Sequence, residues 1–188
     1  PPVELLEEAC RTVLQLLGED ISRPGLARTP HRMAKALLEI TQGSRMTVSE
    51  VVGEGVFPAE GSSRDMVIVT DIDLHSVCEH HVLPFHGRCH VGYLPRDKII
   101  GLSKIGRVVD VFARRLQVQE RITTQVADAI MESVDARGVA VMVEASHMCM
   151  VMRGVEKTGS MTTTTAFRGD CDNTEARTQF LSAVAARR

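Results

Sequence analysis

From Val139 to Met152 the chain is apolar at both odd and even positions, and this run constrains the fold more than any other. A half-exposed strand alternates apolar with polar residues, whereas a run apolar on both faces has to be covered from both sides. The expectation is a long strand over 139–152 inside a layered domain. If it is regular, His147 and Cys149 are neighbours on one face, with Arg153 in the same parity.

The flanking elements are of both kinds. Val3, Leu6, Cys10, Val13, Leu14 and Leu17 recur at three- and four-residue steps, which predicts an amphipathic helix over 3–17 ended by Gly18. Thr29 as N-cap and Pro30 in the first turn predict a second helix to about Gln42. Residues 47–63 have no clear period, and Glu60-Gly61-Ser62-Ser63 reads as a loop. β-Branched residues over 65–74 and a second run over 86–94 predict two strands, with Cys78 at the corner between them and a turn at 95–98. Ser103 as N-cap predicts a helix that buries Ile105, Val108, Val109 and Phe112. Another, from Gln119, turns Ile122, Val126, Ala129, Ile130 and Val134 inward and stops at Gly138. After 139–152 come a loop over 154–160, a strand over 162–167 and a helix capped by Asp172 or Asn173 that runs to about Ala186. This order predicts the α+β class, an antiparallel sheet backed by helices. The expected division is an N-terminal helical region and linker over 1–63 and a main unit over 64–188, forming one compact body.

Bulk properties narrow the partners. A net charge of −2 argues against a surface for polymeric nucleic acid, and 3% aromatics without tryptophan argue against platforms for stacked bases. No apolar run reaches the roughly 18 residues of a membrane span, and the N-terminus lacks a signal-peptide layout, so a soluble cytoplasmic protein is expected. Five irregularly spaced cysteines favour free or metal-bound thiols over a disulfide scaffold.

Ser76-Val-Cys-Glu-His-His81 concentrates the chemistry. Cys78 and His81 have the short spacing at which thiolate and imidazole converge on zinc, and Cys149 is the candidate third ligand. Three ligands of this Cys₂His type leave a fourth position open for water, the pattern of catalytic zinc. The plainer alternative is that buried cysteines are ordinary core residues. His80 and His147 either support the structure or act as general acid and base beside a metal-activated water. Lys104, Arg107 and Arg153, with Arg32 further away, are candidate anion contacts, although basic residues on helices are most often simply solvated. Glu120 is by default a favourable partner for its helix dipole; as a ligand group it could accept from the N1–H and 2-amino edge of a guanine. Glu79, His86, His90, Cys10, Cys89 and Cys171 receive no role.

The segments Thr29-Pro-His-Arg32, Cys78-Glu-His-His81, Gly101-Leu-Ser-Lys104, Gln117-Val-Gln-Glu-Arg121, His147-Met-Cys149, Met152-Arg-Gly154 and Thr162-Thr-Thr-Thr165 extend across nearly the whole chain. In them the chain closely resembles GTP cyclohydrolase I. The resemblance implies the tunnelling fold and a homodecamer of two stacked pentamers with active sites at subunit interfaces. It implies Cys78, His81 and Cys149 as zinc ligands, and His80 and His147 as catalytic histidines. By the same resemblance Glu120 binds guanine with Gln119 and Leu102 beside the base, and Ser103 lies near the ribose and moves protons. Lys104, Arg107 and Arg153 match triphosphate contacts, with Arg32 supplied by a neighbouring subunit. The implied reaction is GTP plus water giving 7,8-dihydroneopterin triphosphate and formate, the first step towards tetrahydrofolate or tetrahydrobiopterin. Two other readings remain: a structural zinc protein or nucleotide-binding regulator with His80 or His147 as fourth ligand, and a 7-cyano-7-deazaguanine reductase, which uses a cysteine covalently and no zinc.

Overall fold

The computed structural model describes residues 2–61 and 64–187, so Ser62 and Ser63 of the expected loop lie outside the described residues. The chain opens with α1 (Val3–Leu16) and α2 (Thr29–Ile40), which pack on each other and are joined by His31 Nδ1 and Glu7 Oε2 at 2.8 Å. Cys10 is the buried residue of α1, whereas Leu5, Val13, Leu16 and Leu17 stay exposed. Thr29 is the first residue of α2 rather than its cap, and its hydroxyl donates back to the Gly25 carbonyl. α2 stops at Ile40, just short of the expected Gln42, and a 3₁₀ turn over Gln42–Arg45 follows.

The stretch without a visible period contains two elements, α3 (Val48–Val52) and β1 (Val56–Pro58). A capping box starts α3: Thr47 Oγ1 accepts from Glu50 N–H while the Glu50 carboxylate accepts from Thr47 N–H. The Thr-x-x-Glu signal is present in the sequence; α3 is too short for periodicity to reveal it.

Next come β2 (Val67–Cys78), β3 (Pro84–Leu94), β4 (Lys98–Ile100), α4 (Leu102–Ala113), β5 (Leu116–Gln117) and α5 (Gln119–Val134). β6 (Gly138–His147), α6 (Met148–Val151), β7 (Thr162–Gly169) and α7 (Thr174–Ala185) follow. The main sheet has the order β5-β2-β3-β6-β7, antiparallel except where the short β5 runs parallel to the end of β2. β1 and β4 form a separate antiparallel pair.

The expected α+β architecture is therefore present, and the double coverage read from 139–152 has a concrete cause. Val139, Val141 and Val143 face α4 and α5, packing with Ile105, Val108, Val109, Ile122, Val126 and Ile130. Ala140 and Met142 face the opposite way, against Phe180 and Val184 of α7. Full burial of each such aliphatic side chain stabilises the fold by about 1.5–3 kcal/mol, so this two-sided core fixes the register of β6.

Several boundaries differ from the sequence reading. β6 ends at His147, because its partner β3 begins at Pro84 and the last ladder pair is Phe85 with His147. Met148–Val151 then winds a helical turn, so Cys149 does not share a strand face with His147. α5 stops at Asp135 in a left-handed conformation (φ 49°), and Gly138 instead starts β6, where a Cβ would run into the Cys171 backbone nitrogen. α4 has Gly101 at its cap position with no side-chain cap, leaving Ser103 exposed in the first turn. Asn173, one of the two expected caps, accepts from Ala176 N–H and starts α7.

Candidate functional site

At one end of the sheet, β2 delivers Cys78 in its last position, and a tight turn returns the chain to β3. Cys78 N–H donates to the Leu83 carbonyl and Val82 N–H to the Cys78 carbonyl, both at 2.8 Å. Closing this turn puts Val82 at φ 54°. A β-branched residue there stores strain of order 1–3 kcal/mol, which the surroundings must hold in place.

The turn brings His81 Nδ1 to 3.9 Å from Cys78 Sγ. α6 supplies Cys149 from the other side, and the ligand atoms of Cys78, His81 and Cys149 all lie within 4.8 Å of one another. Cys78 and His81 are the pair expected from their spacing, and Cys149 is the candidate third residue, reached by a helical turn rather than a strand. Cys78 is buried, Cys149 half-buried and His81 exposed, so the cluster opens to solvent on one side. Burial, and then the neighbouring Cys78, push the Cys149 thiol above its usual range, while Arg153 pulls weakly the other way. Two thiols crowded beside an imidazole fit a thiophilic dication, whose charge would reverse that penalty.

His147, at the end of β6, is stacked flat on Phe85, with ring centroids 4.4 Å apart and planes 7° from parallel. Its Nε2 lies 2.7 Å from Gln119 Oε1. The Gln119 side chain is fully engaged: Nε2 donates to the Val143 and Thr162 carbonyls at 2.9 Å and to Thr164 Oγ1 at 3.2 Å. Those acceptors fix the amide orientation, so His147 donates from Nε2 and keeps Nδ1 for other partners. Burial lowers the His147 pKa, and the nearby Glu120 carboxylate opposes that shift. His80 is exposed, edge-on to His81 with centroids 6.2 Å apart.

Glu120 is exposed in the first turn of α5, and Arg153 is exposed just beyond α6. The remaining predicted residues are elsewhere. Leu102, Ser103, Lys104 and Arg107 lie on α4, a helix about 18 Å long whose opposite end leads into β5 beside Cys78. Leu102 is 63% exposed, and Lys104 Nζ turns back to the Val51 carbonyl. Arg32, on α2, donates to the Gly25 carbonyl and Thr29 Oγ1. One chain thus gathers the metal-type cluster, both histidines, Gln119, Glu120 and Arg153, while Leu102, Ser103 and Lys104 start α4 at its far end, Arg107 lies midway along it and Arg32 bonds within its own segment. A cavity of about 600 Å³ lies elsewhere again, between α3 and α5, lined by Val48, Val52, Phe112, Ala129 and Glu132 among others.

Sequence reasoning gave no role to Phe85, Gln117 or Arg121. Gln117 is 2% exposed, and its amide reaches the Phe112 carbonyl and Gln125. Gln117 and Gln119 are two apart and both buried, a polar pair at inward positions that only tertiary contacts explain.

The family model for GTP cyclohydrolase I matches residues 6–185. The chain belongs to the GTP cyclohydrolase I family. It is 56% identical over 180 residues to GTP cyclohydrolase 1 of Deinococcus radiodurans, covering 95% of this chain and 82% of that protein. GTP cyclohydrolase 1 of Dictyostelium discoideum is 51% identical over 180 residues, 95% of this chain and 77% of that one. GTP cyclohydrolase 1 of Bacteroides fragilis is 50% identical over 184 residues, with 98% and 94% covered. As a member of this enzyme family the chain acts on GTP, and its Cys78-His81-Cys149 cluster could hold a metal ion.

Proposed function

We propose that this chain is a zinc-dependent GTP cyclohydrolase that opens GTP at C8, releases formate and closes the product to 7,8-dihydroneopterin triphosphate. The convergence of Cys78, His81 and Cys149 within 4.8 Å, beside His147, carries this reading. Zinc bound there would supply the Lewis acidity that makes water a nucleophile near neutral pH. His80 and His147 are the proton-handling groups, one of them protonating N7 to make C8 electrophilic. Glu120 accepts from the guanine N1–H and 2-amino group. Since the Gln119 amide is already satisfied, Gln119 serves the base through its backbone at the open start of α5 and serves His147 through its side chain.

Leu102 beside the base, Ser103 near the ribose and Lys104, Arg107, Arg153 and Arg32 on the triphosphate complete the proposed site. Because the start of α4 holds Leu102, Ser103 and Lys104 away from Cys78, a single chain supplies only part of it, which supports an interface site in a homo-oligomer, the decamer implied by the resemblance. Two further features support assembly. Among the described residues β7 ends the sheet with an unpaired edge eight residues long, and Leu5 and Leu16 of α1 and Leu17 at its C-cap are exposed. A cytoplasmic location suits thiol ligands that must stay reduced, and all five cysteines are free.

Zinc-loaded protein incubated with GTP should release formate and give a pterin fluorescent after oxidation, and a chelator should abolish both. Zinc-loaded protein that leaves GTP intact would overturn the reading.

A further inference from the structure

Glu79 lies between a proposed zinc ligand and a proposed catalytic histidine. Its Oε2 accepts from Arg121 Nη1 at 2.6 Å and its Oε1 from Arg121 Nη2 at 3.0 Å, a two-pronged pair in which the planar fork of arginine meets both carboxylate oxygens. The pair is anchored at both ends. Glu79 N–H donates to the Gln117 carbonyl at 3.0 Å, and Arg121 Nη1 also donates to Gln117 Oε1 at 3.2 Å. Gln117 is itself buried and bonded to Gln125 of α5 and to the Phe112 carbonyl of α4. The turn over Glu79 to Leu83 is therefore tied by side chains to the first turn of α5, the turn that presents Glu120.

The turn needs such a tie. It joins β2 to β3 at the end of the sheet, His80 and His81 in it are exposed, and it holds Val82 at φ 54°. A strained, exposed turn relaxes unless neighbouring contacts over-determine it. Each partner is also next to a group that has to be aimed: Glu79 precedes His80, and Arg121 follows Glu120.

We propose that Glu79 and Arg121 form a positioning pair that sets the distance and orientation between the His80-His81 turn and the helix start carrying Glu120. This rests on the cyclohydrolase reading for its consequence in catalysis, though not for its consequence in the turn itself. Neither residue touches the reacting atoms. Their effect is to hold the proton-handling and metal-binding side of the site in register with the guanine-binding side, where a displacement of about 1 Å lowers turnover about 100-fold.

The test uses the zinc-loaded full chain with Glu79→Gln, Arg121→Gln, the double variant and Arg121→Lys. Hydrogen–deuterium exchange of the Cys78–Leu83 amides should rise about tenfold or more in both single variants, with exchange in the centre of α5 unchanged. With GTP, kcat should fall roughly 10- to 100-fold while KM stays within about threefold. The double variant should be no worse than the poorer single, because the two residues act as one unit. Arg121→Lys, which keeps the charge and loses the fork, should fall between wild type and Arg121→Gln. Wild-type exchange in the turn, losses that multiply in the double variant, or a rise in KM alone would overturn the proposal. If the wild-type protein does not turn over GTP, the cyclohydrolase reading fails, and the exchange measurement still decides whether the pair holds the turn.

Discussion

The two histidines that follow Glu79 show how sharply adjacent residues divide. His81 points Nδ1 towards Cys78 Sγ, whereas His80 is edge-on to it and outside the donor cluster. His81→Ala should therefore lose most of the bound zinc, measured by metal analysis after dialysis. His80→Ala should retain zinc at one per chain while kcat falls about 10²- to 10⁴-fold, the usual range for a lost general acid or base. The cysteines divide as well. Burial pushes the fully buried Cys89 thiol from 9.0 up to about 12, so it stays protonated where an exposed thiol ionises. A raised folded pKa gives a stability contribution present in full below pH 9 and lost as pH climbs from 9 towards 12, because the unfolded chain ionises first. The gap in urea midpoint between wild type and Cys89→Ala should accordingly narrow from pH 8 to pH 10.5.

At the scale of elements, the site depends on how strands end. β3 and β6 pair through ten residues and stop together at Phe85 and His147, which stacks the imidazole on the phenyl ring. Gly87, two residues into that pairing, is required because a Cβ there would land on the Glu144 carbonyl oxygen. Gly87→Ala should force the strands apart and destabilise the protein by about 3 kcal/mol or more, read from a urea melt. It should also loosen His147, since the same ladder positions both. The sheet and most helices were legible in the sequence because apolar periodicity reports them directly. α3 was not, because a five-residue helix has too few turns to show a period.

For the whole molecule, the decisive feature is that α4 begins, with Ser103 in its first turn, at the end opposite to the one that leads into β5 beside Cys78. If sites are completed between chains, two defective proteins can complement each other. Glu120→Ala and Arg107→Ala, each inactive alone, should regain measurable formate release after being dissociated and reassembled together, because some interfaces then combine an intact half from each. Light scattering of the wild type should report a mass several times that of one chain. Complementation failing in a confirmed mixed oligomer would place both halves on one chain.

The sequence by itself determined the α+β class, the doubly covered strand and the Cys78-His81 pair, since these follow from residue type and spacing, and it offered Cys149 as a candidate third residue. It also carried the family, through motifs distributed over most of the chain. Only the tertiary structure decided that Cys149 arrives on a helical turn, that Gln119 is committed to His147 and that Glu79 grips Arg121. The reason is physical: periodicity reports which face of an element is buried, whereas these three depend on where a neighbouring strand stops and which side chain that stop leaves within hydrogen-bonding reach.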